Sequence, residues 1–388
     1  MTVDPPAVPE RRLIRHADVR SVLADPRFLV PAAPAARPGT GMAWLRGAVS
    51  RFSNGAEHGR RRARVTGMLG ALDPVRLRRD AFDRTGAELA GGARVDVMAR
   101  IARRVPVGVL ATRLGVPEDR REEVVAAVTA MAAAYHLPPA AGAAPAGDAA
   151  VGVLAAALGD GEKPEPGLLA AVAGALIQAC DATAGLVGNT LVAVARLPAG
   201  PPAGPPSGWS AGLSAGWSAR WPVEALLAET LRWDPPVRLT RRVAAEDAAA
   251  GGVRVPAGAV LLLDLAAANR DPDVFPDPDR FDPGRFLPGG FDPDCFDTGR
   301  FDTACFEPGG GGGGHLGFGS GIRPCPGERT ALALAAGVVE AALAHRLAGP
   351  PNPHEQVPHE QVPYEPSPNL RVPARLYLEG ATTTEGPR

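Results

Sequence analysis

Residues 315–329 read HLGFGSGIRPCPGER, and the rest of the chain is best read outward from them. The spacing is Phe318-x-x-Gly321-x-Arg323-x-Cys325-x-Gly327, followed by helical periodicity from about 326 to 347. Each position has a physical reason if Cys325 is a metal ligand. A thiolate ligand must be deprotonated, and the start of a helix stabilises negative charge. Backbone N–H groups beyond Cys325 can point at its sulfur and tune its donor strength. Gly321 and Gly327 permit tight turns and the close approach of a flat ligand. Phe318 can cover the sulfur and exclude water, while Arg323 can grip a carboxylate with paired hydrogen bonds. The bland alternative is an unremarked cysteine in a Gly-rich turn, which leaves the spacing unexplained.

Further features lie upstream in a fixed order. Glu229-Thr-Leu-Arg232 places an acid and a base at i,i+3, which on its own describes an exposed helical pair. Pro278-Asp-Arg280-Phe281 follows, inside NRDPDVFPDPDRFDPGRF at 269–286. His58 and Arg62 lie one turn apart on one helix face, so both can reach one anion. Their bland reading is a solvated basic face, since the surrounding HGRRRAR is rich in Arg. Arg242 stands in LTRRVA, and HADVRSVLADPRF at 16–28 reads as a helix closing on Asp25-Pro26.

Taken together, these segments resemble the cytochrome P-450 superfamily, of the bacterial soluble type. The resemblance covers nearly the whole chain apart from 197–221, 288–314 and the tail repeat. It implies one domain over 1–388, mainly α with small β-sheets. Heme b (iron protoporphyrin IX) would lie between a long central helix and the Cys-ligand loop and helix. It implies Cys325 as the iron ligand, with His58, Arg62, Arg242, His315, Phe318, Arg323 and Gly327 as heme contacts. Glu229, Arg232 and Arg280 would form a structural ion-pair network. It also implies activation of O₂, with electrons from NAD(P)H delivered by a ferredoxin reductase and a ferredoxin. The substrate would be a small molecule, apolar or aromatic, of the secondary-metabolite type. Rival readings are a peroxide-driven heme enzyme, a heme sensor or carrier, and a degenerate relative without turnover.

Composition sets the outer bounds. The 388 residues are 45% hydrophobic, enough for a sizeable interior, and the formal net charge is −1. That balance gives no global field favouring nucleic acid or an anionic membrane. Lys163 is the only lysine, a bias of GC-rich coding more than a functional signal. The first residues contain no apolar core for a leader peptide. The four cysteines, 180, 295, 305 and 325, show neither a disulfide framework nor a CxxC pair. A reducing cytoplasm and a monomeric protein are therefore expected. One stretch, Leu168 to Ala195, is long and apolar enough to span a bilayer. Gln178, Asp181 and Asn189 fall across its middle, where an unpaired Asp at bilayer depth is costly. A central helix of a soluble protein fits better.

Along the chain, 11–28 read as a strand and a helix, and 41–70 as a loop and then a basic helix. Residues 95–135 carry helical spacing, with Pro117 at a helix start. A helical piece is expected around 149–158, a long helix at 168–196, a helix at 222–232, and short strands around 237–264. Residues 197–221 are low complexity. Residues 288–314 repeat F-D-x-x and end in a six-glycine run, which reads as an inserted disordered loop.

The central helix departs from the family pattern. It carries Ala179-Cys180-Asp181-Ala182-Thr183 where the family has Gly-x-(Asp/Glu)-Thr. Anchored on ATAGLVGN, Ala182 stands at the proton-relay Thr, Asp181 at the acid, and Thr183 one position late. One position is about 100° of rotation on a helix, so Thr183 should not face the iron. The catalytic set is therefore Asp181, ordering distal water, with Ala182 and Thr183 as the altered relay. Ala182, Val237, Leu239 and Thr240 are expected along the substrate wall.

Overall fold

The computed structural model describes residues 10–34, 36, 41–91, 94–135, 142–159, 161–197, 221–286, 314–347 and 362–378. Most of segments 197–221 and 288–314, and most of the tail repeat, lie outside the described residues.

The chain opens with β1 (Arg11–Leu13), α1 (His16–Ala24) and β2 (Phe28–Leu29). Next come α2 (Gly41–Ala48), α3 (Gly55–Gly70) and α4 (Pro74–Leu89). Asp73 caps α4 by accepting from the Val75 N–H at 2.9 Å, with Pro74 at the first helical position. After β3 (Val95–Asp96) and a π-turn at Met98–Ala102 come α5 (Arg104–Arg113), α6 (Arg121–Tyr135) and α7 (Ala143–Leu158). The central helix α8 spans Pro166–Val194, and α9 spans Val223–Trp233. Strands β4 (Leu239–Ala244), β5 (Ala248–Ala250), β6 (Val253–Val255) and β7 (Val260–Asp264) follow, then α10 (Leu265–Ala268). The long helix α11 (Glu328–Leu347) and β8 (Tyr377–Leu378) complete the described elements.

This is the expected mainly α fold with small sheets. The largest sheet has four strands in the order β1-β7-β4-β2, with β1 parallel to β7 and the other pairs antiparallel. Two differences from the sequence reading stand out. Residues 41–48 form α2, where a loop was expected, because Met42, Trp44 and Leu45 give that stretch a face to bury. The helix expected around 149–158 begins at Ala143, because a run of Ala hides its start from any periodicity argument.

The core is organised on α8. Glu165 caps it through the Gly167 and Leu168 N–H groups, and Pro166 occupies its first turn. The helix is mostly apolar, as suits an element packed along most of its surface. It is long and apolar enough to cross a membrane, but 72% of its apolar window is buried inside the protein. Small residues bring neighbours close: at Gly185 an added Cβ would stand 2.7 Å from Pro236 and 3.0 Å from the Arg371 carbonyl. At Gly188 it would meet the Met98 sulfur at 2.8 Å. Helix α11 packs as tightly on α4, where Gly337 abuts the Arg78 carbonyl and the Phe82 N–H. A smaller apolar cluster joins the four-stranded sheet to α1 and to Leu316 of the Cys loop. The sheet thereby fixes one side of that loop.

Candidate heme-thiolate site

The loop 315–327 is shaped by its glycines and by backbone pairing. Gly319 and Gly321 both have positive φ, +75° and +69°. At Gly321 a Cβ would collide with the Leu23 carbonyl at the end of α1, so only glycine fits. The neighbouring Ile322 N–H donates to that carbonyl at 3.2 Å. The Cys325 N–H donates to the Phe318 carbonyl at 2.8 Å, which turns the loop back on itself. Cys325 ends up half-buried just before α11, and the Gly327 N–H points at its sulfur. Burial pushes the free thiol up to about 11, against the opposing effects of that N–H and of the Arg62 and Arg51 charges. A metal ion is the ordinary means of deprotonating such a thiol.

Around the sulfur stand cations without carboxylate partners. Arg323 donates to the Asn54 side chain at 3.1 Å and to the Ser50 and Ser53 carbonyls at 3.1 and 3.0 Å. Arg62 donates to the Pro324 carbonyl at 2.6 Å. Arg242, 6% exposed, donates to the Thr240 hydroxyl at 3.1 Å and to the Arg241 carbonyl at 2.8 Å. Among the described residues, none of these three forms an ion pair. Their mutual repulsion is legible in their acidity. Burial, then the charges of Arg62 and Arg51, lowers Arg323 to about 10. Burial, then Arg323 and Arg51, lowers Arg242 to about 10. Burial, then Arg323 and Arg62, lowers His58 to about 4. Desolvated cations gathered without an anion are costly. A ligand carrying two carboxylates beside a thiolate-binding metal fits this donor set, as the propionates of heme would.

Two of the expected contacts are placed elsewhere. His315 is buried, its ring 6.1 Å from Phe286 and 6.4 Å from Phe318, and it accepts from the Gly317 N–H at 3.3 Å. Burial lowers it to about 4, and its charged neighbour is Arg232, not the cation cluster. Arg280, expected in the ion-pair network, contributes only its backbone carbonyl, which accepts from Arg232 at 2.8 Å. Its side chain is exposed.

The network itself is present. Arg232 and Glu229 are both 0% exposed and pair in bidentate fashion at 2.7 and 2.6 Å. The Arg232 guanidinium also donates to the Pro278 carbonyl, and Glu229 accepts from the Asp282 N–H at 2.7 Å. The third side chain is Arg285, 3.7 Å from Glu229. The sequence offers two Arg-Phe pairs, at 280–281 and 285–286, and the structure uses the second. Its marker is Phe286, buried at 3%.

On the other side of the site, Asp181 faces Arg103, which follows the π-turn before α5. The Arg103 Nε donates to Asp181 at 3.2 Å, and another nitrogen reaches Glu365 at 2.6 Å. Ala182 is half-buried, while Thr183 is 1% exposed and its hydroxyl has no hydrogen-bond partner. The Thr183 side chain is thus buried in the packed protein. Cys180 is buried, its thiol pushed up to about 12 by burial, which marks it as inert. Val237, Leu239 and Thr240 are all half-buried at the start of β4.

Sequence reasoning missed several supports. Asn54, at the start of α3, pairs both ways with the Val30 backbone at 3.2 and 2.9 Å while accepting from Arg323. Asn269 donates to the Leu231 carbonyl at 2.9 Å and accepts from the Leu316 N–H at 2.6 Å, tying the ion-pair helix to the Cys loop. Arg51 adds a charge to the cluster. Each is one polar residue in a loop, with no periodicity to announce it.

The comparisons agree with this geometry. Residues 222–335 match the family profile described as Cytochrome P450. Protein AknT of Streptomyces galilaeus is 32% identical over 240 residues, covering 53% of this chain and 48% of that protein. A putative cytochrome P450 140 of Mycobacterium tuberculosis is 61% identical over 54 residues, 14% of this chain and 12% of that one. The crystal structure of CalO2 superposes with a TM-score of 0.71 at 22% identity, covering 98% of this chain and 92% of that one. A thiol at a helix start beside cations that lack an anion, with a buried Glu-Arg pair at the 269–286 segment, is the arrangement that a heme-thiolate protein needs. Residues 222–335 belong to the cytochrome P450 family, and the described chain shares the fold of the solved structure. The chain spans about half the length of the first curated relative it matches.

Proposed function

We propose that this protein is a heme-thiolate monooxygenase that oxidises a small apolar or aromatic molecule of the secondary-metabolite type. The observation that carries the reading is the unneutralised cluster of His58, Arg62, Arg242 and Arg323 beside the Cys325 thiol. Heme, when bound, supplies the O₂-activating iron, with electrons drawn from NAD(P)H through a ferredoxin reductase and a ferredoxin. Cys325 would hold the iron through its sulfur, and the Gly327 N–H would temper its charge. Arg62, Arg242 and Arg323 with His58 hold the propionates. Phe318 keeps water from the sulfur. Asp181, fixed at one oxygen by Arg103, keeps its other oxygen for a water on the distal side. Ala182, Val237, Leu239 and Thr240 shape the substrate wall. The protein is proposed to work as a monomer in the cytoplasm.

Ala182 favours a second reading, heme binding without turnover, because it offers no hydroxyl to the distal side. The test is reduction by a ferredoxin system with a library of aromatic and polyketide-like small molecules. Substrate-dependent NADPH consumption with an oxygenated product supports the monooxygenase. Heme loading with no consumption on any compound that shifts the ferric spectrum supports the carrier.

A further inference from the structure

Helix α8 (Pro166–Val194) is buried over two long runs and open between them. Residues 169–177 are all buried, and so are 183–194. Between them Gln178, Ala179, Asp181 and Ala182 are accessible, while Cys180 is 1% exposed. Positions 178, 179 and 182 fall within one face of a helix, and Cys180 marks the opposite face. Continued one turn, the same face reaches Gly185, which abuts Pro236 just ahead of Val237 and β4. The opening therefore lies on the face of α8 that carries Ala182, and that face leads toward Val237 ahead of β4, where the substrate wall is proposed.

Gln178 is the uncharged polar side chain on that face. Its Nε2 donates to the Gly174 carbonyl, four residues back, at 3.2 Å. That bond fixes the direction of the amide and leaves one N–H and the carbonyl oxygen for another partner. Asp181, at the edge of the opening, is turned toward Arg103. Ala182 has no polar atom, and the Thr183 hydroxyl is buried away from the opening. The opening's uncharged hydrogen-bonding capacity on this helix thus falls to Gln178.

We infer that Gln178 is the distal positioning residue of this protein. Its amide holds a water or a substrate hydroxyl over the heme, in the place left by the hydroxyl that Ala182 lacks. This rests on the heme-thiolate reading. The amide neither gains nor loses a proton; the proton comes from the water or hydroxyl that it orients. A substrate carrying a hydroxyl close to the oxidised carbon would be favoured over its deoxy analogue.

The test uses the full chain loaded with heme, and reads spectra. Gln178→Leu keeps the bulk and removes the hydrogen bonds; Gln178→Asn keeps the amide and shortens its reach. Without substrate, Gln178→Leu should raise the ratio of high-spin to low-spin ferric heme roughly fivefold to tenfold, as expected for one lost hydrogen bond. The C–O stretch of the ferrous carbonyl should move, with Gln178→Asn intermediate. Normal heme uptake with both signals unchanged in both variants would overturn the inference. A wild-type chain that takes up no heme would overturn the underlying reading and this one with it, and that result is read before any variant is made. Poor heme uptake by Gln178→Leu alone leaves Gln178→Asn to decide, since an intact amide at the wrong reach must still shift the stretch.

Discussion

The two sides of the site are built on different terms. On the thiolate side the ion-pair network has fixed partners: Arg232 spends its donors on Glu229 and on the Pro278 and Arg280 carbonyls, and Asn269 stitches that cluster to Leu316. On the distal side the fixed partners are few. Thr183 keeps an unsatisfied hydroxyl, Gln178 is bonded only to its own helix, and Asp181 is held by a single arginine nitrogen. The thiolate side is a device for stability, where an unpaired charge would be ruinous. The distal side leaves capacity open, because a substrate must complete it. Changes on the first side should therefore act on folding, and changes on the second on turnover.

The largest expected effect is on the thiolate side. Glu229→Ala leaves Arg232 buried and unpaired, which should cost roughly 3–5 kcal/mol and most of the folded holoprotein. Denaturant unfolding checks it, and normal stability would show that the pair is not buried in solution. Next comes pH. His315 is held neutral by burial, its pKa lowered from 6.5 to about 4. A depressed value means stability that is full above about 6.5 and is lost as pH falls through 4, by about 3 kcal/mol in all. His315→Gln should flatten that acid limb; an unchanged limb would place the proton uptake elsewhere. Third is the pair of arginines. Arg285→Ala should destabilise by roughly 1–3 kcal/mol, because Glu229 loses its second cation. Arg280→Ala should stay within about 0.5 kcal/mol, because its side chain is exposed. The reverse order would restore Arg280 to the network.

The contrast also explains what the sequence reveals. Cys325, the Glu229–Arg232 pair, the long central helix and the short strands around 237–264 are legible because covalent spacing and period mark them. Arg280 misleads because two Arg-Phe pairs lie five residues apart and only burial separates them. His315 belongs to the loop in sequence, but its ring lies near Phe286 and Phe318 and its charged neighbour is Arg232. Asn54, Asn269 and Arg103 act across long stretches of chain, so no local pattern carries them. Gln178 is hidden for another reason: an isolated polar residue in an apolar helix reads equally as packing or as function until its exposure is seen.

The last effect, about 1.4 kcal/mol in barrier, tests the distal side. Ala182→Thr adds a donor facing the opening in α8. If proton delivery is otherwise poor, product formed per NADPH should rise about tenfold; if a substrate group already occupies the place, turnover should fall by a similar factor. Either change, measured with peroxide release in parallel, keeps Ala182 at that opening. No change in coupling or rate would rotate the helix assignment by at least one residue.

The central claim is that Cys325 is the axial ligand, and the ferrous carbonyl spectrum tests it most directly. The wild-type chain should bind one heme and show the red-shifted Soret band of a thiolate-ligated carbonyl. Cys325→Ser should lose that band, while Cys180→Ser, whose sulfur is buried on the far face of α8, should keep it. Loss of the band in Cys180→Ser with retention in Cys325→Ser would contradict the account.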